Sequence, residues 1–158
     1  MCAALTRGTA TLLVAVLAVG LATKTAFSAE LAREVLDGPM KVEVIRVIDG
    51  DTIVVRVHPW LGLFIESRVR LARIDAPELR GRSSSETTLA GRAKDRLGQL
   101  LASGTAHIDH VRPDKYGGRV RAHVLDSSGV DVGAVLIAAG LARPYHGERR
   151  KSWCADQG

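Results

Sequence analysis

The chain has 158 residues and a formal net charge of +5, with 46% hydrophobic and 25% charged residues. Once an N-terminal leader is set aside, about 130 residues remain, room for one domain with a real core and too few for two. Two cysteines, of which Cys2 falls in the leader, exclude an internal disulfide and a cysteine-type zinc site. Seventeen arginines against five lysines suit a phosphate-bearing partner, because the planar guanidinium grips two oxygens at once, although a GC-rich genome would leave the same bias. Basicity permits an anionic partner without proving one.

In chain order, Arg7 is the one cation of the first nine residues, and "ATLLVAVLAVGLA" then runs apolar for about a dozen residues, short of the roughly 20 that span a bilayer. Small residues in "TAFSAE" offer a cut after Ser28 or Ala29, so residues 1–29 are expected to be a removed secretory signal. An uncleaved anchor is the alternative, because Lys24 interrupts the region. Residues 30–40 read as a short N-terminal segment, 41–146 as the folded domain and 147–158 as a polar tail. Cys154, in that tail, is expected to be an idle or buried thiol.

Within the domain, "KVEVIRVI", "TIVVRVH" and "ESRVRLARI" are β-branched or alternating and predict three strands in a meander. "HPWLGLF", with Pro59 and Gly62, reads as the connection between the second and third, its Trp60 and Phe64 covering one end of the core. Ser83 followed by Glu86 is a capping-box signature, after which Leu89, Ala93, Leu97, Leu100 and Leu101 share one helical face up to Gly104. "TAHIDHV" and "RVRAHVLD" return to strand, and "VDVGAVLIAAGLA" predicts a second helix closed by Gly140. The order βββαββα, with five strands and a helix after the third, suits a small Greek-key barrel of the OB type. His107 and His110 lie three apart in an expected strand and so on opposite faces, which argues against a histidine metal site.

Three segments carry chemistry. In "VIDGDTIVV", Asp49 and Gly50 read as a type I′ hairpin turn, which leaves Asp51 either a strand entry or a ligand. In "VRLARIDAPE", Asp75 ends a strand that Pro77 stops. Arg70 precedes Asp75 by an odd number of residues, so a bend must intervene if the two share a site. In "RPDKYGGRVRAHV", Arg119 and Arg121 share a strand face that either meets solvent or grips an anion. Paired aspartates offer the hard oxygens that Ca²⁺ accepts, a free carboxylate can activate water, and two arginines can hold a phosphoryl group.

Taken in order, "VIDGDTIVV", "VRLARIDAPE", "DKYGGR" and "VDVGAVLIAAGLA" resemble the signature of the staphylococcal nuclease-like, or thermonuclease, family over residue 41 to about 145. The resemblance implies an α+β, mainly β fold: a five-stranded OB-type Greek-key β-barrel with two to three packed helices. It implies Asp51 and Asp75 as calcium ligands together with the Ala76 backbone carbonyl, Glu78 as general base, and Arg70 and Arg119 as the arginines on the phosphate. Gly118 departs from the family pattern by separating the turn from Arg119, which leaves Arg121 in reserve. Lys115 and Tyr116 match positions beside the bound nucleotide, Tyr145 matches a base-stacking tyrosine, and Arg80 and Arg82 fall in a loop beside the site.

The expected protein is thus an exported, monomeric, Ca²⁺-dependent nuclease acting on DNA, RNA or both, with no stable protein partner. The alternative is a non-catalytic OB-fold nucleic-acid-binding module, which would lean on stacking aromatics. Trp60, Phe64, Tyr116, Tyr145 and Trp153 do not alternate along strands as such a platform would.

Overall fold

The computed structural model describes residues 35–153. The expected signal over 1–29, residues 30–34 and the tail from Cys154 onward lie outside the described residues. Five strands, β1 (Met40–Val47), β2 (Thr52–Trp60), β3 (Leu63–Leu71), β5 (Thr105–Pro113) and β6 (Arg119–Asp126), close a barrel in the order β1-β2-β3-β6-β5. All pairings are antiparallel except β3 with β6. Helix α1 (Ser84–Leu100) follows the third strand and α2 (Val132–Ala138) follows β6. This is the mainly β, five-stranded barrel with two helices that the alternation and the helix signals imply. Two-residue strands β4 (Ile74–Asp75) and β7 (Arg143–Pro144) form a separate antiparallel pair that the sequence pattern is too short to reveal.

The core is built where the β-branched runs meet the helices. Ile53, Val55, Val69, Ala106, Ile108, Ala122 and Val124 point inward from the strands against Ala93, Leu97 and Leu136 of the two helices. Each fully buried Ile or Leu contributes about 1.5–3 kcal/mol of apolar transfer free energy, and a one-residue slip would carry these side chains to the solvent face. Helix α1 starts where expected: Ser83 Oγ accepts the Glu86 N–H at 3.1 Å, and Glu86 reaches back to accept the Arg82 N–H at 2.9 Å. Asp131 caps α2 by accepting the Ala134 N–H at 3.0 Å, and Gly140 leaves the helix with φ +67°.

Two local expectations are corrected. Strands β2 and β3 run on to Trp60 and from Leu63, so only Leu61 and Gly62 make the turn, with Gly62 at φ +76°. Trp60 and Phe64 therefore stand 75% and 58% exposed on a hairpin that projects beyond the barrel, instead of covering the core. The second correction concerns the loop between β1 and β2. Gly50 is not in the left-handed region that a type I′ turn requires. The loop is closed by Ile48 N–H donating to Thr52 C=O at 2.9 Å, and by Asp51 N–H donating to Asp49 Oδ1 at 3.0 Å.

Glycine is needed at position 50 for space. A Cβ there would meet the Ala93 Cβ at 2.8 Å and the Ala76 Cβ at 3.0 Å, so helix α1 and the Asp75-Ala76 segment both pack directly on this backbone. Gly50→Ala is expected to destabilise the protein by about 1–3 kcal/mol, the usual cost of overpacking. Chemical denaturation measures this. A midpoint equal to the wild type's would mean that α1 yields freely.

Candidate active site

The loop ahead of β2, the end of β3, β4 and the start of β6 converge on one side of the barrel. Arg70 and Asp75 reach the same place because the chain bends between β3 and β4, with Arg73 at φ +62°, a conformation uncommon for a side-chain-bearing residue. The bend that odd spacing demands is therefore a two-residue turn at Ala72 and Arg73. It also positions Tyr145, whose N–H donates to the Arg73 carbonyl at 2.8 Å.

Asp51, Asp75 and Ala76 are buried; Asp51 and Asp75 meet Arg70, which lines an open cleft of about 820 Å³, and Asp75 and Ala76 line a second cleft that shares Glu78 and Arg150 with it. The first cleft is lined by Arg70, Glu78, Lys115, Tyr116, Arg119, Arg121 and Tyr145, so the structure brings every sequence-predicted site residue to one locality. Arg70 Nη1 donates to Asp51 Oδ1 at 2.7 Å, and its Nη2 lies 3.8 Å from Asp75 Oδ1. Asp51 also accepts from the Thr52 hydroxyl at 2.9 Å and from the Ala76 N–H at 3.4 Å. Arg80 and Arg82 line the second cleft with Asp75 and Glu78.

Two features were not legible in the sequence. Asp114, which looks like a turn residue, holds both candidate phosphate arginines: its carboxylate accepts from Arg119 Nε at 2.5 Å and lies 3.8 Å from Arg121 Nε. Arg119 also lies over the Tyr116 ring, 5.0 Å from its centroid. The glycine that separates Arg119 from the turn takes φ +72°, letting Asp114 N–H close onto the Arg119 carbonyl at 3.1 Å. In the parallel register Arg121 sits beside Arg70 and Arg119 beside Arg68, so both β6 arginines reach the cleft. The second feature is Arg150, from the polar tail, which contacts Asp51, Asp75 and Glu78. Only a tail long enough to fold back could have hinted at it.

Burial pushes the Asp51 pKa from its ordinary 3.8 up to about 6, against the lowering influence of Arg70 and with a further raise from Asp49. Folding thus favours the protonated acid. The associated stability is fully present below pH 3.8 and is lost as pH rises through about 6. In chelator, the wild type is expected to gain on the order of 2 kcal/mol relative to Asp51→Asn between pH 7 and pH 4. Thermal unfolding of both proteins across that range checks it, and parallel pH curves would refute it.

The residues fit a hard divalent cation. Two buried carboxylates converge, and Asp75 Oδ1 accepts no hydrogen bond: the nearest donor, Arg150 Nε at 2.7 Å, is in ionic contact without its N–H aimed at the oxygen. A buried carboxylate oxygen lacking a donor is costly unless a cation meets it; the Arg150 guanidinium meets this one, and a hard cation would fit the same place. Away from the cleft floor, Asp109, His110 and His123 bring one ligand atom each within 4.8 Å of one another. β5 shifts register between Asp109 and Arg112, and His110 there takes φ +49°; His107, the histidine that strand spacing sets on the opposite face from His110, is not in this group.

A family model described as staphylococcal nuclease homologue matches residues 68–157, from within β3 onward. The chain is 34% identical over 110 residues to a micrococcal nuclease of Shigella flexneri, an alignment that covers 65% of this chain and 57% of that protein. It is 32% identical over 102 residues to an uncharacterized endonuclease of Escherichia coli, covering 65% of this chain and 59% of the relative. The chain therefore spans under three-fifths of the length of these curated relatives.

Proposed function

Because the chain belongs to the staphylococcal nuclease homologue family, we propose that it is a Ca²⁺-dependent nuclease that hydrolyses phosphodiester bonds in DNA, RNA or both. The observation that carries this reading is the convergence of Asp51, Asp75, Glu78 and Arg70 beside a cleft also lined by Arg119 and Arg121. In the proposal Asp51, Asp75 and the Ala76 carbonyl hold the cation. Bound there, it would supply positive charge against the phosphate oxygens.

The chain's own residues then divide the remaining work. Glu78 takes a proton from water as the water oxygen bonds to phosphorus, the bond from phosphorus to the leaving ester oxygen breaks, and the departing oxygen takes a proton from solvent to leave as the alcohol. Arg70 and Arg119, with Arg121 in reserve, offset the charge that builds on the phosphoryl oxygens. Lys115 and Tyr116 flank the nucleotide and Tyr145 offers a ring to a base. Asp114 orients the β6 pair, since a carboxylate that holds a guanidinium at fixed distance limits its rotamers.

The competing reading is a non-catalytic nucleic-acid-binding module, favoured by the exposure of Trp60 and Phe64 on the β2–β3 hairpin. Export and a monomeric state belong to the proposal as well; among the described residues no helix is long and apolar enough to cross a membrane. Incubating the purified protein with single-stranded DNA, double-stranded DNA and RNA, in calcium, magnesium or chelator, decides between the readings. Cleavage that requires calcium and fails in Glu78→Gln is the expected result. Binding without cleavage in every condition would hand the case to the module.

A further inference from the structure

Arg150 lies in a stretch to which the sequence pattern assigns nothing, yet its guanidinium stands among all three acids of the site. Its Nη1 donates to Glu78 Oε1 at 2.5 Å, its Nε lies 2.7 Å from Asp75 Oδ1 and its Nη2 3.9 Å from Asp51 Oδ2. Three residues on, Trp153 donates its indole N–H to Asp75 Oδ2 at 3.3 Å and lies 3.8 Å beneath the Arg143 guanidinium. The chain after β7 is thus pinned over the carboxylates by a charge on one side and a ring on the other.

We propose that Arg150 is a positioning residue of the site: an internal counter-ion that holds Asp75 and Glu78 in place and is exchanged for the divalent cation. This rests on the nuclease reading given above. A guanidinium and a divalent cation cannot share the space between the same carboxylates. Like charges a few ångströms apart repel, and more strongly where solvent is partly excluded. The Arg150 side chain is 40% exposed and faces two clefts, so it has solvent to move into when the cation arrives.

The exchange also bears on Glu78. One of its carboxylate oxygens is engaged by Arg150, and a base that must receive a proton from water works from an oxygen that is free. Cation entry would then also release Glu78 Oε1 from its ion pair and leave both oxygens of the carboxylate open to water. Arg149, the neighbouring residue on the same segment, lines the same clefts and supplies a control for charge alone.

Isothermal titration calorimetry with Ca²⁺ at low ionic strength tests this on the wild type, Arg150→Ala, Arg150→Gln and Arg149→Ala. Arg150→Ala and Arg150→Gln are expected to bind Ca²⁺ about tenfold or more tightly than the wild type, because the competing charge is gone, and Arg149→Ala within about threefold of it. A merely structural role for Arg150 would weaken binding instead. The glutamine variant keeps hydrogen-bond donors beside Glu78 and answers the question should the alanine variant fail to fold. If the wild type binds and neither Arg150 variant binds more tightly, or if Arg149→Ala gains as much, the exchange is wrong and the nuclease reading stands. If no protein of the set binds Ca²⁺, the exchange and the calcium assignment both fall.

Discussion

Arg70→Ala is expected to cost about 3–5 kcal/mol of stability and to remove cleavage to the limit of detection. The side chain is only 13% exposed, and it is the hydrogen-bonded counter-charge of Asp51 while also facing Asp75. Removing one partner of a buried ion pair leaves an uncompensated charge, and here the two buried carboxylates would keep only Arg150, 3.9 Å from Asp51 and 2.7 Å from Asp75, as counter-charge. For a domain of this size that cost lowers the thermal midpoint by about 10 °C or more. In the proposed mechanism the loss of activity follows from deleting a donor aimed at developing charge, which by itself is worth about 10² to 10³-fold.

The two effects separate in a second variant. Arg70→Ala combined with Asp51→Asn removes the unpaired charge and is expected to recover part of the stability while leaving cleavage absent. Calorimetric unfolding beside a cleavage assay measures both. Equal midpoints for the single and double variants would show that the pair is not what holds this corner of the barrel. Burial of Arg70 between two acids makes its substitution cost stability as well as rate.

Glu78→Gln is expected to do the opposite, keeping the thermal midpoint within a few degrees and lowering turnover by about 10² or more, as for a lost general base. The side chain is 55% exposed, and its amide oxygen can still accept from Arg150, so the fold loses little. What is lost is the capacity to take a proton from water. Turnover on DNA at saturating calcium, measured beside unfolding of the same preparation, checks it, and unchanged turnover would remove Glu78 from the reaction. Arg150→Ala is not equivalent, because it frees the carboxylate instead of replacing it.

Strand and helix content was largely readable because the signals are local. Alternation of Val and Ile with polar residues predicts β1, β2, β3, β5 and β6. The Ser83 and Glu86 pair predicts the start of α1, and Gly140 the end of α2. The misreadings fell where spacing is not local. Gly50 suited a type I′ turn by its neighbours, and only the approach of Ala93 and Ala76 from distant segments reveals that volume, not φ, requires it. Trp60 and Phe64 looked like core by composition, and only the closed barrel leaves them outside.

The candidate site divides along the same line. The amino-acid order shows which groups are available: two aspartates, a glutamate after a proline, and arginines at strand positions, in an order matching one family. The tertiary structure decided how those groups are paired. Arg70 meets Asp75 because the chain bends at Arg73, Arg119 and Arg121 share Asp114, and Arg150 returns from the C-terminal side to the acids. Residue types and short periodicities are written along the chain. Distances between charges far apart in sequence arise only when the barrel closes, so the pairings become visible only in three dimensions.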